Sequence, residues 1–476
     1  MSYAEYLAAI GPEIALTIAA LLVMSIDALW PRSVRAIPWI GIAGLLVTLA
    51  MLPMFRAERV AFSGLLVIDP LAVLFKVIAL ISVILVALLS ISHRPLRGFH
   101  EGEYHTLLLF FAVGLMFLVG AAHLLMIYLA LEMVSLAAYL LTGHLKLDPR
   151  SSEAALKYYL FGALCSGLFL YGASILFGLT GTLHLDGIAE AVRASGLSAA
   201  LLAALVLMLI GLGFKIAMVP FHLWAPDAYE GAPTPITALL SVASKAGGFA
   251  VLLRVLAVAF PLEALDWQPM LWVLCVVTMS LGNVIAVRQG NIKRLLAYSS
   301  IAQAGYVLVG VVLMRQTPAG LPSAMIYLIA YLFMNIGAFA VVIVVSNALG
   351  SDKIEDYRGL ARRAPLASAS LAVFLVSLTG IPPLAGFIGK FYLFAATIDA
   401  HAYWLAVIMG VNSVVAAFYY FRVVRAMYLD AGKSEEPIGT ARPLQVAVGV
   451  TLLGTFVIGV WPQPFLLFAA ALPLGF

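Results

Sequence analysis

Several charged residues lie inside strongly apolar stretches of this sequence, and their type and position suggest proton chemistry. Glu132 lies in MIYLALEMVSLAAYLL, Lys157 in EAALKYYLFGAL, Lys215 in LVLMLIGLGFKIAMV, Lys245 in ITALLSVASKAGG and Lys390 in SLTGIPPLAGFIGKFYLF. A charge at the centre of a bilayer costs roughly 2.5–3.5 kcal/mol, so such side chains must pair, bind water or lose their charge. Intramembrane Glu and Lys are typical of proton and ion pathways.

Prolines lie close to two of these lysines. Pro220 follows Lys215, and Pro382 and Pro383 precede Lys390. Proline removes a helix donor and clashes with the preceding turn, so both helices are predicted to be interrupted. Backbone groups freed at membrane depth need partners from protein or water, which favours wet cavities beside both lysines.

Each candidate also has a simpler interpretation. Glu132 and the three deeper lysines could form a static buried ion-pair network. Lys157 lies near the start of its helix, where its side chain could reach the headgroups. His222, just after Pro220, is more typical of a structural histidine than of an accessory proton carrier. Asp69 and Lys76 are predicted to form an ordinary helix-end pair on one helix face.

Composition and hydropathy indicate the elements that must hold these residues. Of 476 residues, 64% are hydrophobic and only 11% charged, whereas soluble domains have about 25% charged residues. We therefore predict an all-α integral membrane protein. Apolar windows long enough to span a bilayer predict about 14 transmembrane helices. Their centres lie near Leu21, Leu46, Ile81, Leu115, Leu131, Phe169, Leu209, Ser244, Thr278, Leu308, Ala338, Leu378, Val414 and Leu452.

Basic residues predict the orientation. Alternate loops hold most of the Lys and Arg residues, while the other side holds Arg56, Arg59, Arg193 and Arg315, with Arg254 near it. By the positive-inside rule both termini are expected outside. The net charge of +4 is explained by these loops, so the predicted partner surface is lipid, with no nucleic acid.

An internal similarity suggests a repeat. GLGFKIAMVP and IPPLAGFIGKFY both combine Gly, Phe and Lys with a nearby proline, in the seventh and twelfth spans. The two segments are five spans apart, so they would point in opposite directions, which predicts two inverted five-helix repeats. The predicted divisions are a three-helix segment (1–105), the first repeat (106–262), the second (263–430) and a last helix (431–476).

No cofactor site is predicted in this chain. Cys165 and Cys275 both lie in apolar spans without a CxxC partner, and no Walker loop or complete GxGxxG motif occurs. Metal and nucleotide sites are therefore not expected. Energy for any transport must come from another protein.

Four segments resemble a known family. ALEMVSLAAYLLTG, PFHLWAPDAYEGAPTPITALLSVASK, GNVIAVRQGNIKRLLAYSSIAQAGY and GIPPLAGFIGKF resemble the antiporter-like subunits of respiratory complex I, the NADH–quinone oxidoreductase, over nearly the whole chain. YEGAPTPITALLS looks like the subunit N group rather than M or L. Lys390 departs from the M group, which has a glutamate there.

The resemblance implies roles for the matching residues. Glu132 and Lys215 would be the glutamate–lysine pair of the fifth and seventh helices, with Lys157 near them, Lys245 as the connecting lysine and Lys390 as the terminal one. It also implies proton translocation through two half-channels, driven by other subunits that hold NADH, FMN, iron–sulfur clusters and quinone. A subunit of a multisubunit cation/proton antiporter or membrane hydrogenase, and a purely structural scaffold, remain alternatives.

Overall fold

The computed structural model describes residues 3–30, 36–55, 59–98, 100–196, 198–260, 266–432 and 434–470 of the chain. The elements in chain order are α1 Tyr3–Ala9, α2 Gly11–Leu29, α3 Ile37–Met51, β1 Arg59–Ala61, β2 Leu66–Ile68, α4 Pro70–Ser92, α5 Glu101–Gly120, α6 Leu124–Thr142, α7 Pro149–Thr180, α8 Leu185–Ser195, α9 Ala199–Ile216, α10 Trp224–Gly231, α11 Thr234–Leu239, α12 Lys245–Arg254, α13 Gln268–Ala286, α14 Ile292–Leu313, α15 Gly320–Leu349, α16 Leu360–Arg363, α17 Pro365–Thr379, α18 Ala385–Asp399, α19 Tyr403–Tyr428, α20 Arg442–Val460 and α21 Gln463–Ala470.

Long apolar helices dominate these elements, because a backbone in hydrocarbon must satisfy its own hydrogen bonds. Within the described residues, 13 helical segments are long and apolar enough to cross a bilayer, and the shorter apolar helix Pro365–Thr379 lies at the twelfth predicted window. The prediction of an all-α membrane protein is confirmed. A two-stranded hairpin, with Arg59 opposite Ile68, is a small addition that the sequence did not indicate.

Burial separates central from peripheral spans. The segment Thr234–Ala259 is 100% buried within its most apolar window, and α14 and α15 are each 94% buried. By contrast α2, α19 and α20 are each 33% buried and expose large apolar side chains such as Phe418. The peripheral helices therefore offer the apolar surface that lipid or neighbouring chains would cover, whereas the central ones can hold polar groups away from both.

The central segment Thr234–Ala259 is not a regular α-helix. It alternates α11, a π-helical turn at Leu240–Ser244, α12 and a second π-helical turn at Val255–Ala259. A π turn inserts an extra residue per turn and rotates the side chains that follow, so it often marks a functional position. Lys245 is the first residue after the first of these turns.

The predicted divisions of the chain relate to these helices in different ways. The division between residues 105 and 106 lies inside α5, whereas the one between 262 and 263 falls outside the described residues. The division after residue 430 follows the end of α19. The inverted repeat itself stays a prediction.

Candidate functional site

Glu132 and Lys215 lie on neighbouring elements, α6 and α9. Lys215 is fully buried, and its Nζ donates to the Ser135 Oγ at 3.1 Å, one helical turn from Glu132. Glu132 and Lys215 make no ion pair within 4.0 Å in the described chain. The Oε1 atom of Glu132 is buried without a protein hydrogen-bond partner. Glu132 therefore keeps an unsatisfied carboxylate oxygen, while Lys215 is held by a neutral hydroxyl.

The chain is interrupted immediately after Lys215. Helix α9 ends at Ile216, Ala217 has a left-handed backbone conformation, and α10 begins at Trp224. Two side chains satisfy backbone groups in this interval: the Trp224 Nε1 donates to the Phe214 carbonyl at 3.1 Å, and Thr278 Oγ1 accepts from Val219 N at 3.0 Å. These contacts explain how nonhelical backbone persists inside the bundle.

His222 lies in the same interval, as does Pro220. The side chain of His222 is buried, and its Nδ1 has no hydrogen-bond partner within the described chain. An unpaired buried ring nitrogen is a position where an ordered water would fit. His222 therefore lies in the interruption between α9 and α10 that follows Lys215, and its accessory role stays a prediction.

Lys245 occupies the centre of the protein. It is 2% exposed, and its Nζ donates to the Ser300 carbonyl on α14 at 2.7 Å. Helix α12, which carries Lys245, also packs against Lys215, because an added Cβ at Gly248 of this helix would lie 3.2 Å from the Lys215 Cγ. The absent side chain at Gly248 thus allows α9 and α12 to approach closely, bringing two candidate lysines onto adjoining surfaces.

Polar side chains on one face of α14 continue from Lys245 towards Lys390. Ser299 hydrogen-bonds Tyr420, and Gln303 donates to the Tyr420 hydroxyl at 3.3 Å and accepts from Tyr327. The spacing of Ser299, Gln303 and Tyr306 places them on one helix face. This row was not predicted from the sequence, although the string YSSIAQAGY shows polar residues at helical spacing within an apolar span.

Lys390 ends this row at the second interruption. Helix α17 ends at Thr379, Gly380 has a φ of +95°, and α18 begins at Ala385, so Pro382 and Pro383 lie between the two helices. The Lys390 Nζ donates to the Thr379 carbonyl at 2.9 Å, and so satisfies an acceptor left free at the end of α17.

The ammonium group of Lys390 has two further contacts. It lies 3.1 Å from the Ser413 Oγ and 4.3 Å from the centre of the Tyr306 ring. The Tyr306 hydroxyl in turn lies 3.0 Å from the same Ser413 Oγ. An aromatic face and neutral oxygens stabilise an ammonium group in place of a carboxylate partner.

Lys157 lies apart from the buried lysines. Its side chain is 49% exposed and pairs with Glu153 at 2.8 Å and Asp227 at 2.9 Å, and Asp227 also pairs with Arg294 at 2.7 Å. Because Asp227 belongs to α10, this ion cluster ties the second half of the interrupted seventh span to α7 and α14. The structure groups Lys157 with this cluster, and its predicted role in proton transfer stays a prediction.

The expected pair of Asp69 with Lys76 is wrong. Asp69 caps α4 and binds Arg254 in two contacts of 2.7 and 3.0 Å, whereas Lys76 pairs with Glu13 at 2.6 Å. Residues seven apart share a helix face, but they are separated by two turns, roughly 10 Å along the axis, which is too far for a direct ion pair. Each side chain therefore pairs with a residue of another helix. Sequence separation alone did not reveal these partners, which lie 185 and 63 residues away in the chain.

The sequence of residues 121–416 matches the family described as "NADH:quinone oxidoreductase/Mrp antiporter, TM". The chain belongs to this family. Its match covers every candidate residue, from Glu132 on α6 to Lys390 on α18. The expected family resemblance is therefore confirmed, and the chain is an antiporter-like membrane subunit.

Individual relatives of this antiporter-like subunit agree. It is 45% identical to "NAD(P)H-quinone oxidoreductase subunit 2" of Acaryochloris marina, over 96% of this chain and 90% of that protein. It is 43% identical to "NADH-quinone oxidoreductase subunit N" of Moorella thermoacetica, over 91% of this chain and 90% of that protein. A chain of the solved respiratory complex I from Thermus thermophilus shares 33% identity with a TM-score of 0.81, over 96% of this chain and 99% of that one.

Proposed function

We propose that this chain translocates protons as a membrane subunit of an NADH–quinone oxidoreductase. Glu132, Lys215, Lys245 and Lys390 would form one polar axis, with protons reaching and leaving it through two half-channels. The observation that carries the proposal is a row of three groups of buried polar contacts along α14, in which Lys245 binds the Ser300 carbonyl, Gln303 binds Tyr420 and Lys390 binds Ser413. Burial disfavours the charged form of a lysine, and a carboxylate partner would favour it, so a buried lysine without such a partner loses its proton more readily than a paired one.

The Glu132–Lys215 pair would control the first transfer. A carboxylate near an ammonium group stabilises the charged lysine, and its withdrawal favours proton release. The gap between the two groups leaves room for this change, because Lys215 binds Ser135 rather than Glu132. Moving one proton against 100 mV costs about 2.3 kcal/mol, which is within the range of a rearranged buried ion pair.

The remaining parts of the proposal follow from the family. NADH, FMN, iron–sulfur clusters and quinone would act in other subunits, whose redox reaction drives this one. Those subunits would contact the chain laterally in a bacterial inner membrane, with lipid on the remaining apolar surface. The two inverted repeats would open to opposite sides, and both termini would lie outside.

The test uses Glu132→Gln and Lys215→Ala in the assembled complex, reconstituted in vesicles. We expect normal assembly with loss of both proton pumping and coupled quinone reduction. Glu190→Gln, an exposed carboxylate on α8, and Lys146→Gln, an exposed lysine, serve as matched controls and should pump at the parent rate. Unchanged pumping by both axis variants would instead assign a scaffold role to the chain.

A cation/proton antiporter is the second candidate, because the family description includes that class. It differs in what drives transport. Uptake of ²²Na⁺ by the same vesicles under an imposed pH gradient, without NADH, would favour it. Proton pumping that needs NADH and quinone, with no ²²Na⁺ uptake, would support the oxidoreductase.

A further inference from the structure

A large polar cavity opens at the end of the bundle where the basic loops lie, here called the basic face. It has a volume of about 1090 Å³ and is lined by the α13–α14 connection, the segment after α15 and the end of α19. Arg288, Lys353 and Arg422 contribute positive charge, and Glu230 and Asp352 negative charge. By the positive-inside rule this face is the inner one, so the cavity would hold water continuous with the cytoplasm.

Lys293 lies directly beneath this cavity and is only 4% exposed. Its Nζ donates to the Glu230 and Ala232 carbonyls, both at 2.7 Å, and lies 4.0 Å from an Asp352 carboxylate oxygen. Two of its contacts, Glu230 and Asp352, line the cavity. Lys293 therefore has one side towards the wet cavity and the other towards the interior of the bundle.

Helix α14 connects Lys293 with the centre of the protein. Ser300, whose carbonyl binds Lys245 at 2.7 Å, is seven residues further along the same helix, roughly 10 Å and two turns away on the same face. No ionisable residue of α14 lies between Lys293 and Ser300 on that face, because Arg294 points into the ion cluster with Asp227. Lys293 is thus the buried ammonium group of α14 that lies between the cavity and the contact of Lys245 with Ser300.

Unpaired polar atoms occur at both ends of this interval. The Asp352 Oδ1 at the cavity, the Ser244 Oγ beside Lys245 and the Tyr331 hydroxyl are buried without a hydrogen-bond partner in the described chain. The Tyr229 hydroxyl lies 3.5 Å from the Ser300 Oγ. Buried polar atoms of this kind are usually satisfied by ordered water, so both ends of the interval suit water molecules that carry protons.

We propose that Lys293 is a further proton-transfer residue, which takes protons from the basic-face cavity and passes them towards Lys245. This inference rests on the proposed function and adds an uptake route to it. A hydrated proton in the cavity binds to the neutral Nζ of Lys293, and one proton of the resulting ammonium group leaves through water towards Lys245.

A structural role explains some of the same contacts. The two carbonyls that Lys293 binds lie at the end of α10, where a helix has unsatisfied acceptors and a lysine is a suitable cap. The two roles differ in chemistry: a cap needs a cationic donor, whereas a relay must also lose its proton. Arginine supplies several donors and stays protonated, so it can replace the cap and not the relay.

The test compares Lys293→Arg with the parent complex in vesicles, with proton pumping and quinone reduction measured per assembled complex. We expect normal assembly and a pumping rate below about one tenth of the parent, which corresponds to about 1.4 kcal/mol in activation free energy. Lys146→Arg, on an exposed lysine outside the cavity, should pump normally. Parent-level pumping by Lys293→Arg would overturn the proposal.

A second pair of variants covers a failure of Lys293→Arg to assemble. Lys293→His keeps a group that can titrate, and Lys293→Gln keeps a donor that cannot. Higher pumping by the histidine variant would support the relay, and equal pumping would overturn it. If none of the three variants assembles while Lys146→Gln does, Lys293 serves as the cap of α10 and the relay is rejected.

Lys245→Met in the same preparation separates this inference from the proposed function. If Lys245→Met abolishes pumping and the Lys293 variants do not, only the uptake route fails. If neither Lys245→Met nor Lys215→Ala changes pumping, the proposed function itself fails. A loss in all three supports both.

Discussion

Gly386 controls how closely the two halves of the twelfth span approach, and its replacement by alanine should disable Lys390. The ideal Cβ of residue 386 would lie 1.8 Å from the Ser377 carbonyl oxygen, which belongs to the backbone of α17. An ordinary contact needs about 3.5 Å, so α17 and α18 would have to separate by roughly 1.5 Å. The present contact also includes a hydrogen bond from Gly386 N to the Ser377 Oγ at 3.0 Å.

Separation of α17 from α18 would break the hydrogen bond between Lys390 and Thr379. The Lys390 Nζ lies 2.9 Å from the Thr379 carbonyl across the same interval. A separation of roughly 1.5 Å would stretch this contact beyond 4 Å, where it is no longer a hydrogen bond. Loss of a hydrogen bond to a charged group costs about 1.5–3 kcal/mol, and the steric overlap about 1–3 kcal/mol more. Together these terms predict at least a tenfold loss of pumping, since each 1.4 kcal/mol is a factor of ten.

The assay measures assembly of the complex and NADH-driven proton pumping in vesicles. Gly410→Ala in α19 is the matched control, because a Cβ there meets nothing within 4 Å. That variant should assemble and pump normally, with a helix stabilised by up to about 1 kcal/mol. Normal assembly and normal pumping by Gly386→Ala would show that the interruption is not held at the distance described, and the reasoning about Lys390 would fail.

Three further predictions concern other parts of the structure. Tyr306→Leu removes the ring beside Lys390 and should reduce pumping more than Tyr306→Phe does, because phenylalanine keeps the aromatic face; equal losses would refute a role for that face. Asp69→Asn should lower the thermal stability of the complex, because removing one partner of a buried pair costs about 3–5 kcal/mol, and the double variant Asp69→Asn/Arg254→Met should recover part of it. Lys157→Met should leave thermal stability nearly unchanged, since exposed ion pairs contribute at most about 1 kcal/mol, so a large fall in melting temperature would contradict the half-exposed position of Lys157.

The candidate lysines could be predicted because a buried charge is conspicuous in an apolar sequence. The energetic cost of that charge is large, so few such residues occur, and proline marked the interval beside two of them. The row on α14 carried a weaker signal. Serine, glutamine and tyrosine cost much less in a membrane than lysine does, and their importance depends on which helix faces them.

The sequence by itself determined the membrane class, most of the spans and the three buried lysines Lys215, Lys245 and Lys390, because hydropathy and charge are local properties of the chain. Tertiary structure decided the partners. It joined Asp69 to Arg254 and Lys76 to Glu13, placed Lys157 in an exposed ion cluster, and brought Lys293 beneath a polar cavity. The π-helical turn before Lys245 was likewise decided by the tertiary structure. These features depend on contacts between helices far apart in sequence, and no local pattern encodes which helices become neighbours.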